Sequence, residues 1–137
     1  MTDKQTPSAL KGYISEIYND TALTDINIKD VQLKLPGIKH KYVSRLILHK
    51  RKRNHLILKK IKLKKKIANE IKNNNVYNVS NPVAEKTAED HNSIVSINTA
   101  ISEEDLIIQL LEKTEKTLSS MTFDVKNIIE LMKLEVT

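Results

Sequence analysis

The sequence has no cysteine and no tryptophan, only two glycines, three prolines and a single phenylalanine. Without cysteine there is no disulfide, no thiolate metal site and no thiol nucleophile, a composition that suits a reducing cytoplasm. Two glycines cannot build phosphate-cradling loops, and neither GxxxxGKS/T nor GxGxxG occurs. With so few aromatic residues, a large aromatic-lined substrate pocket is not expected. No apolar run approaches the roughly 18 residues that cross a bilayer. The N-terminal MTDKQTPSALKGY lacks the basic-then-apolar order of a secretory signal. Together these absences predict a soluble cytoplasmic protein of one domain, with no membrane partner and no cofactor.

The most informative absence is of acid. No Asp or Glu occurs from Val31 to Asn69, yet this window holds fourteen of the 23 Lys and Arg. Residues 1–30 carry a net charge of −2, residues 31–72 of +14 and residues 73–137 of −6, so the overall +6 conceals a strongly dipolar chain. A basic block of this density usually meets a polyanion.

Periodicity predicts an all-α fold. Residues 1–7 read as a frayed end closed by Pro7. Ser8 reads as the N-cap of a short helix over 9–19, whose apolar face is Leu10, Tyr13, Ile14 and Ile17. Ile26, Ile28, Val31, Leu33 and Leu35 alternate with polar residues, and Pro36 disfavours a helical Leu35. Residues 21–36 are therefore expected to form an extended arm. A long basic helix follows over 37–73, with Pro36-Gly37 in its first turn and Asn73-Asn74-Asn75 at its end. Val43, Leu46, Ile47, Ile57, Leu58, Ile61, Ala68 and Ile71 share one face of it. Lys41, Arg45, Lys52, Lys59, Lys62 and Lys66 share the opposite face, with Leu48 and His55 in the same stripe. The apolar face lapses at HKRKRNH, residues 49–55. Such a narrow apolar stripe needs a partner helix.

Residues 74–101, rich in Asn and Ser, read as a loop with a possible short extended piece at Ile94–Ile97. Ser102 followed by Glu103, Glu104 and Asp105 reads as a helix start, a cap with acids at the positive end of the dipole. Ile107, Leu110, Leu111, Leu118 and Met121 form the apolar face behind it. A break is expected near Ser119–Thr122, with Val125, Ile128, Ile129, Met132 and Val136 on a last helix, so that residues 102–137 form a hairpin or one bent helix.

Catalytic constellations are missing. His49 and His55 are six apart rather than at the i, i+4 spacing of a helical metal pair, and no nucleophile elbow is present. The chain is read as a non-enzyme without a metal. Ordinary solvated helix faces mix charge signs and place Glu four residues before Lys. The basic helix has no such partners, so its own repulsion favours an anionic ligand. Nucleic acid is preferred over a membrane surface, which generally wants Trp or Phe at the apolar edge. The lysine-rich make-up suggests backbone contact more than base reading. Tyr42 can stack on a base or be buried against the arm.

The run DINIKDVQLKLPGIKHKYVSRL, residues 25–46, resembles the N-terminal signature of UvsY-like recombination mediators from T-even-type phages. The residues that carry the likeness are Leu33, Leu35, Pro36, Ile38, His40, Lys41 and Tyr42. The closing stretch TFDVKNIIELMKLEV is similar to that family's last helix, with Phe123 where the family has Trp. Asn73–Tyr77 departs from the family's Tyr-Tyr-Ser/Thr-Gly step. The resemblance implies a non-catalytic homo-oligomer, ring-like in the family, in the host cell cytoplasm. It would bind single-stranded DNA and help load a RecA-like recombinase onto DNA coated by a single-strand DNA-binding protein, in DNA recombination and repair. The family's basic-x-basic step maps onto Lys60, Lys62 and Lys64. The expected DNA-binding set is thus Lys41, Arg45, Lys52, Lys59, Lys60, Lys62, Lys64 and Lys66, and the expected oligomer contacts are Ile128, Ile129 and Met132. Two other functions fit the same charge pattern: a helical adaptor whose basic helix docks an acidic protein, and a nonspecific duplex-DNA or RNA binder.

Overall fold

The alternating residues before Pro36 do not form an arm. In the computed structural model, which describes residues 8–74 and 79–136, the chain forms α1 (Ser8–Thr21), α2 (Ile28–Asn74), α3 (Asn81–Glu89) and α4 (Asn92–Val136). No strand occurs among the described residues. The all-α expectation around a long basic helix holds, while its boundaries move in three places. The frayed end at 1–7 falls outside the described residues, as does Asn75 of the expected Asn73-Asn74-Asn75 stop, and α2 runs to Asn74.

First, α2 begins at Ile28, nine residues before the expected start at 37. Ile28, Val31 and Leu35 lie at i, i+3 and i+7 and are all buried, whereas Ile26 is 97% and Leu33 81% exposed. The helical set was embedded in the period-two pattern, and solvent takes the remainder. A reciprocal pair closes the entrance: Thr24 N–H donates to Asn27 Oδ1 (2.7 Å) and Asn27 N–H to Thr24 Oγ1 (3.3 Å). This is a capping box with Asn in place of Glu or Gln. Pro36 sits inside the helix and removes one backbone hydrogen bond, a cost of about 3 kcal/mol. Burial of Val31, Leu35 and Tyr42 on either side offsets it, at about 1.5–3 kcal/mol for each large side chain.

Second, the described residues between 79 and 101 are largely helical. Ser80 is the extended N-cap of α3, Pro82 occupies its first turn, and Ala84 and Ala88 are wholly buried. Third, α4 runs unbroken from Asn92 to Val136, so Ser102 caps nothing and no break occurs at Ser119–Thr122. Four threonines of α4 satisfy their hydroxyls locally. Thr99, Thr114, Thr117 and Thr122 each donate their hydroxyl to the carbonyl four residues back, at 2.8–3.1 Å.

The chain packs as two compact units, one made of Met1–Leu48 with Leu106–Thr137, the other of His49–Asp105. In the first, Ile28, Val31, Leu35, Tyr42 and Leu46 of α2 meet Ile107, Ile108, Leu111, Leu118, Met121 and Val125 of α4. From Leu111 to Val125 the buried α4 positions are spaced alternately by three and four residues, with Thr114 among them. That is the seam of a helix lying along a partner. Leu10, Tyr13 and Ile17 of α1 pack against this core as their spacing predicts, and Ile14 is exposed. Ile128, Ile129 and Met132 are half-buried against the same core.

The second unit has a smaller core of Ile67, Ala68, Ala84, Ala88 and Ile94, flanked by Leu63, Ile71 and Val79. Here α2 turns His49, Arg53, Leu56, Lys60, Leu63 and Ile67 away from solvent. Leu58 and Ile61, expected on the apolar face, are 60% and 47% exposed, as is Ile47 (61%) in the first unit. Because the inward positions follow the alternating three-and-four spacing, the inward stripe lies a fraction of a turn from the one that hydrophobicity alone selects.

Candidate nucleic-acid interface

The basic residues of α2 divide according to what the acids of other helices reach. In the first unit, α1 supplies two carboxylates. Glu16 receives Arg45 through both guanidinium nitrogens (Nη1–Oε2 2.6 Å, Nη2–Oε1 3.2 Å) and Lys41 Nζ at 2.9 Å. Asp20 accepts from Lys41 Nζ (2.6 Å) and from the Tyr42 hydroxyl (2.7 Å). The hydrogen bonds from Arg45 and then Lys41 hold the Glu16 carboxyl near pKa 2. The hydrogen bond to Glu16 raises the Arg45 guanidinium, and burial followed by the Asp20 contact raises the Tyr42 phenol. Tyr42 is fully buried, with Lys41 Nζ 4.9 Å and Arg45 Cζ 5.4 Å from its ring centre. Of the two roles open to Tyr42, the structure shows burial, against α1 and α4 rather than an arm. Lys41 and Arg45 are held in an intramolecular network.

In the second unit, the polar lapse at residues 49–55 meets Glu104 and Asp105 of α4. Glu104 is buried, at 4% exposure; His49 Nδ1 lies 2.7 Å from its Oε2 and Lys52 Nζ 3.2 Å from its Oε1. Arg53 Nε donates to Asp105. The supposed helix-start acids are therefore mid-helix partners of the basic run. Further along, Glu89 at the end of α3 accepts from Lys60 Nζ (3.1 Å) and from Asn98 Nδ2 (3.3 Å), and its Oε2 lies 2.8 Å from Lys64 Nζ. The bonds from Lys64, Lys60 and Asn98 pull its carboxyl down to about pKa 2.

Lys59, Lys62 and Lys66 stand apart. They are exposed, and no ion pair or hydrogen bond joins their side chains to any described residue. Arg51 and His55, in the same condition, extend the row. At 100° per residue, Arg51, His55, Lys59, Lys62 and Lys66 fall within about 80° of arc over about 22 Å of helix. Lys52, 64% exposed, lies at the edge of this stripe although its ammonium touches Glu104. The structure thus keeps Lys59, Lys62 and Lys66 of the predicted set together on open surface and adds Arg51. It ties down Lys41, Arg45, Lys60 and Lys64. The signal for Arg51 was present in the spacing; what sequence lacks is any sign of which cations distant acids would reach. Among the described residues no group of three or more His, Asp or Glu forms a metal site, and no helix is long and apolar enough to cross a membrane.

Compared with protein-family models, curated proteins and solved structures, the chain matches none of them.

Proposed function

We propose that this chain is a non-catalytic protein that binds the backbone of single-stranded DNA and acts as a recombination mediator, helping to load a RecA-like recombinase onto strands coated by a single-strand DNA-binding protein. The observation that carries the DNA-binding part is the exposed stripe Arg51, His55, Lys59, Lys62 and Lys66, which no acid among the described residues neutralises. Four aligned permanent cations repel one another unless an anionic chain lies along them. Lysine predominates, and lysine binds phosphate as a point charge without reading bases. The mediator role is supported by the resemblance of residues 25–46. Self-association is assigned to the C-terminal end of α4, where Ile128, Ile129 and Met132 are only half covered and Leu131 is 60% exposed.

Leu58 and Ile61, exposed beside Lys62 and Lys65, favour the adaptor as a second reading, since an acidic amphipathic helix would cover both apolar and basic side chains. Salt-titrated binding to oligo-dT and to duplex DNA, on protein of measured mass, separates the readings. The mediator reading expects oligo-dT binding that weakens steeply with salt and a mass above the monomer. No oligo-dT binding at low salt overturns it, and tighter binding to duplex replaces it with a nonspecific duplex binder.

A further inference from the structure

Lys60 and Lys64 are basic residues of the same helix that an acid has already claimed, and the manner of the claim is informative. Glu89 ends α3, and its carboxylate sits between the two ammonium groups with Asn98 as a third donor. Oε2 is shut off from solvent and faces Lys64. Two lysines and an amide around one monoanion is also the donor set that would hold a phosphodiester oxygen. Beside it, Arg53, Lys60 and Lys64 of α2 and Asn98 and Ser102 of α4 line an open groove of about 530 Å³. By helical geometry Lys60 lies about 100° round from Lys59, the residue at the near edge of the exposed stripe.

The element that carries Glu89 is lightly held. α3 has nine residues, and the side chains it buries are the methyl groups of Ala84 and Ala88, while Val83 is 55% exposed. Few buried apolar contacts mark a segment that opens at low cost.

We propose that Glu89 is an internal competitor for DNA phosphate: α3 holds its carboxylate between Lys60 and Lys64, and a bound strand gains this second phosphate site only when α3 releases them. The inference rests on the single-stranded DNA reading above. It makes the protein a binder whose full electrostatic footprint is withheld until a strand, or a partner acting on α3, displaces one acidic side chain.

Oligo-dT binding of the full-length chain, followed by fluorescence anisotropy across a salt series, tests this. Glu89→Gln keeps the shape and the contact with Asn98 while removing the charge. It is expected to bind about three- to tenfold more tightly at low salt, with the slope of log K against log salt steeper by about 0.7–1.4, for one or two added phosphate contacts. Glu85→Gln makes the same charge change one turn earlier on α3, at an exposed residue, and is expected to change affinity by less than threefold. Adding Lys60→Ala and Lys64→Ala to Glu89→Gln is expected to abolish the gain. Circular dichroism reports whether each variant keeps its helix. If wild type binds and Glu89→Gln matches it in affinity and slope, the competitor idea is overturned while the DNA reading stands. An equal gain from Glu85→Gln, or a gain that survives loss of both lysines, overturns it as well. Failure of both wild type and Glu89→Gln to bind at low salt overturns both readings, whereas binding by Glu89→Gln alone supports the competitor.

Discussion

One helix carries basic residues under opposite conditions in the two units. In the first, Lys41 and Arg45 lie against α1, which supplies two carboxylates, and the phenol between them is buried. The same unit holds the larger apolar core, with Leu111, Leu118 and Val125 almost wholly enclosed. In the second, the core is mostly Ala and Ile, polar residues occupy inward positions of α2, and Arg51, Lys59, Lys62 and Lys66 are left on open surface. The difference teaches that local basicity does not define a binding surface. Whether a lysine is structural or available depends on whether a carboxylate elsewhere in the chain can reach it.

The comparison can be broken in several ways. If the first unit holds most of the apolar stabilisation, Leu118→Ala should cost about 2–5 kcal/mol in chemical denaturation, and the half-buried Leu63→Ala of the second unit clearly less. Equal costs would erase the distinction. If exposure separates binding from structural cations, replacing Lys59, Lys62 and Lys66 together with Ala should lower oligo-dT affinity by about tenfold or more and flatten the salt slope by about 2. Helicity should be unchanged. Lys41→Ala with Arg45→Ala should leave the slope alone and lower stability instead; a reversed pattern would show that the two groups were assigned backwards. A smaller effect, about 1 kcal/mol, is expected from Thr24→Ala, which removes the cap at the start of α2; thermal denaturation reads it. The smallest concerns acid. The Glu16 carboxyl is lowered from its ordinary 4.5 to about 2, so its contribution is fully present above pH 4.5 and fades as pH falls toward 2. Its side chain is 36% exposed, which keeps this to about 1 kcal/mol or less. A denaturation series over that range should show a weaker acid dependence in Glu16→Gln than in wild type.

The helical class and the long basic element were legible because the acid-free window and the 3.6-residue period both survive in sequence. The start of α2 was misread because Ile28, Val31 and Leu35 satisfy a helical and an alternating pattern at once, and Thr24-x-x-Asn27, the discriminating signal, is a weak form of the capping box. The continuity of α4 was hidden by Ser and Thr residues whose helical cost is reduced by bonds to their own backbone. For the candidate site, spacing sufficed to place Lys59, Lys62 and Lys66 on one face of the helix, which the structure leaves exposed. It could not reveal that Glu16, Asp20, Glu89 and Glu104 reach basic side chains 21 to 55 positions away, because those pairings exist only once the helices pack.

The buried carboxylate of Glu104 has a consequence for register. Leucine and isoleucine seams tolerate sliding, since one apolar knob fits a neighbouring hole nearly as well as its own. A slip of α2 by one heptad along α4 would put Lys59 in the place of Lys52 but Leu56 in the place of His49, leaving one oxygen of the enclosed Glu104 carboxylate without its partner, at a cost of about 1–3 kcal/mol. One acid set among apolar neighbours thus works as an index mark, fixing which turn of α2 lies beside which turn of α4 in this unit.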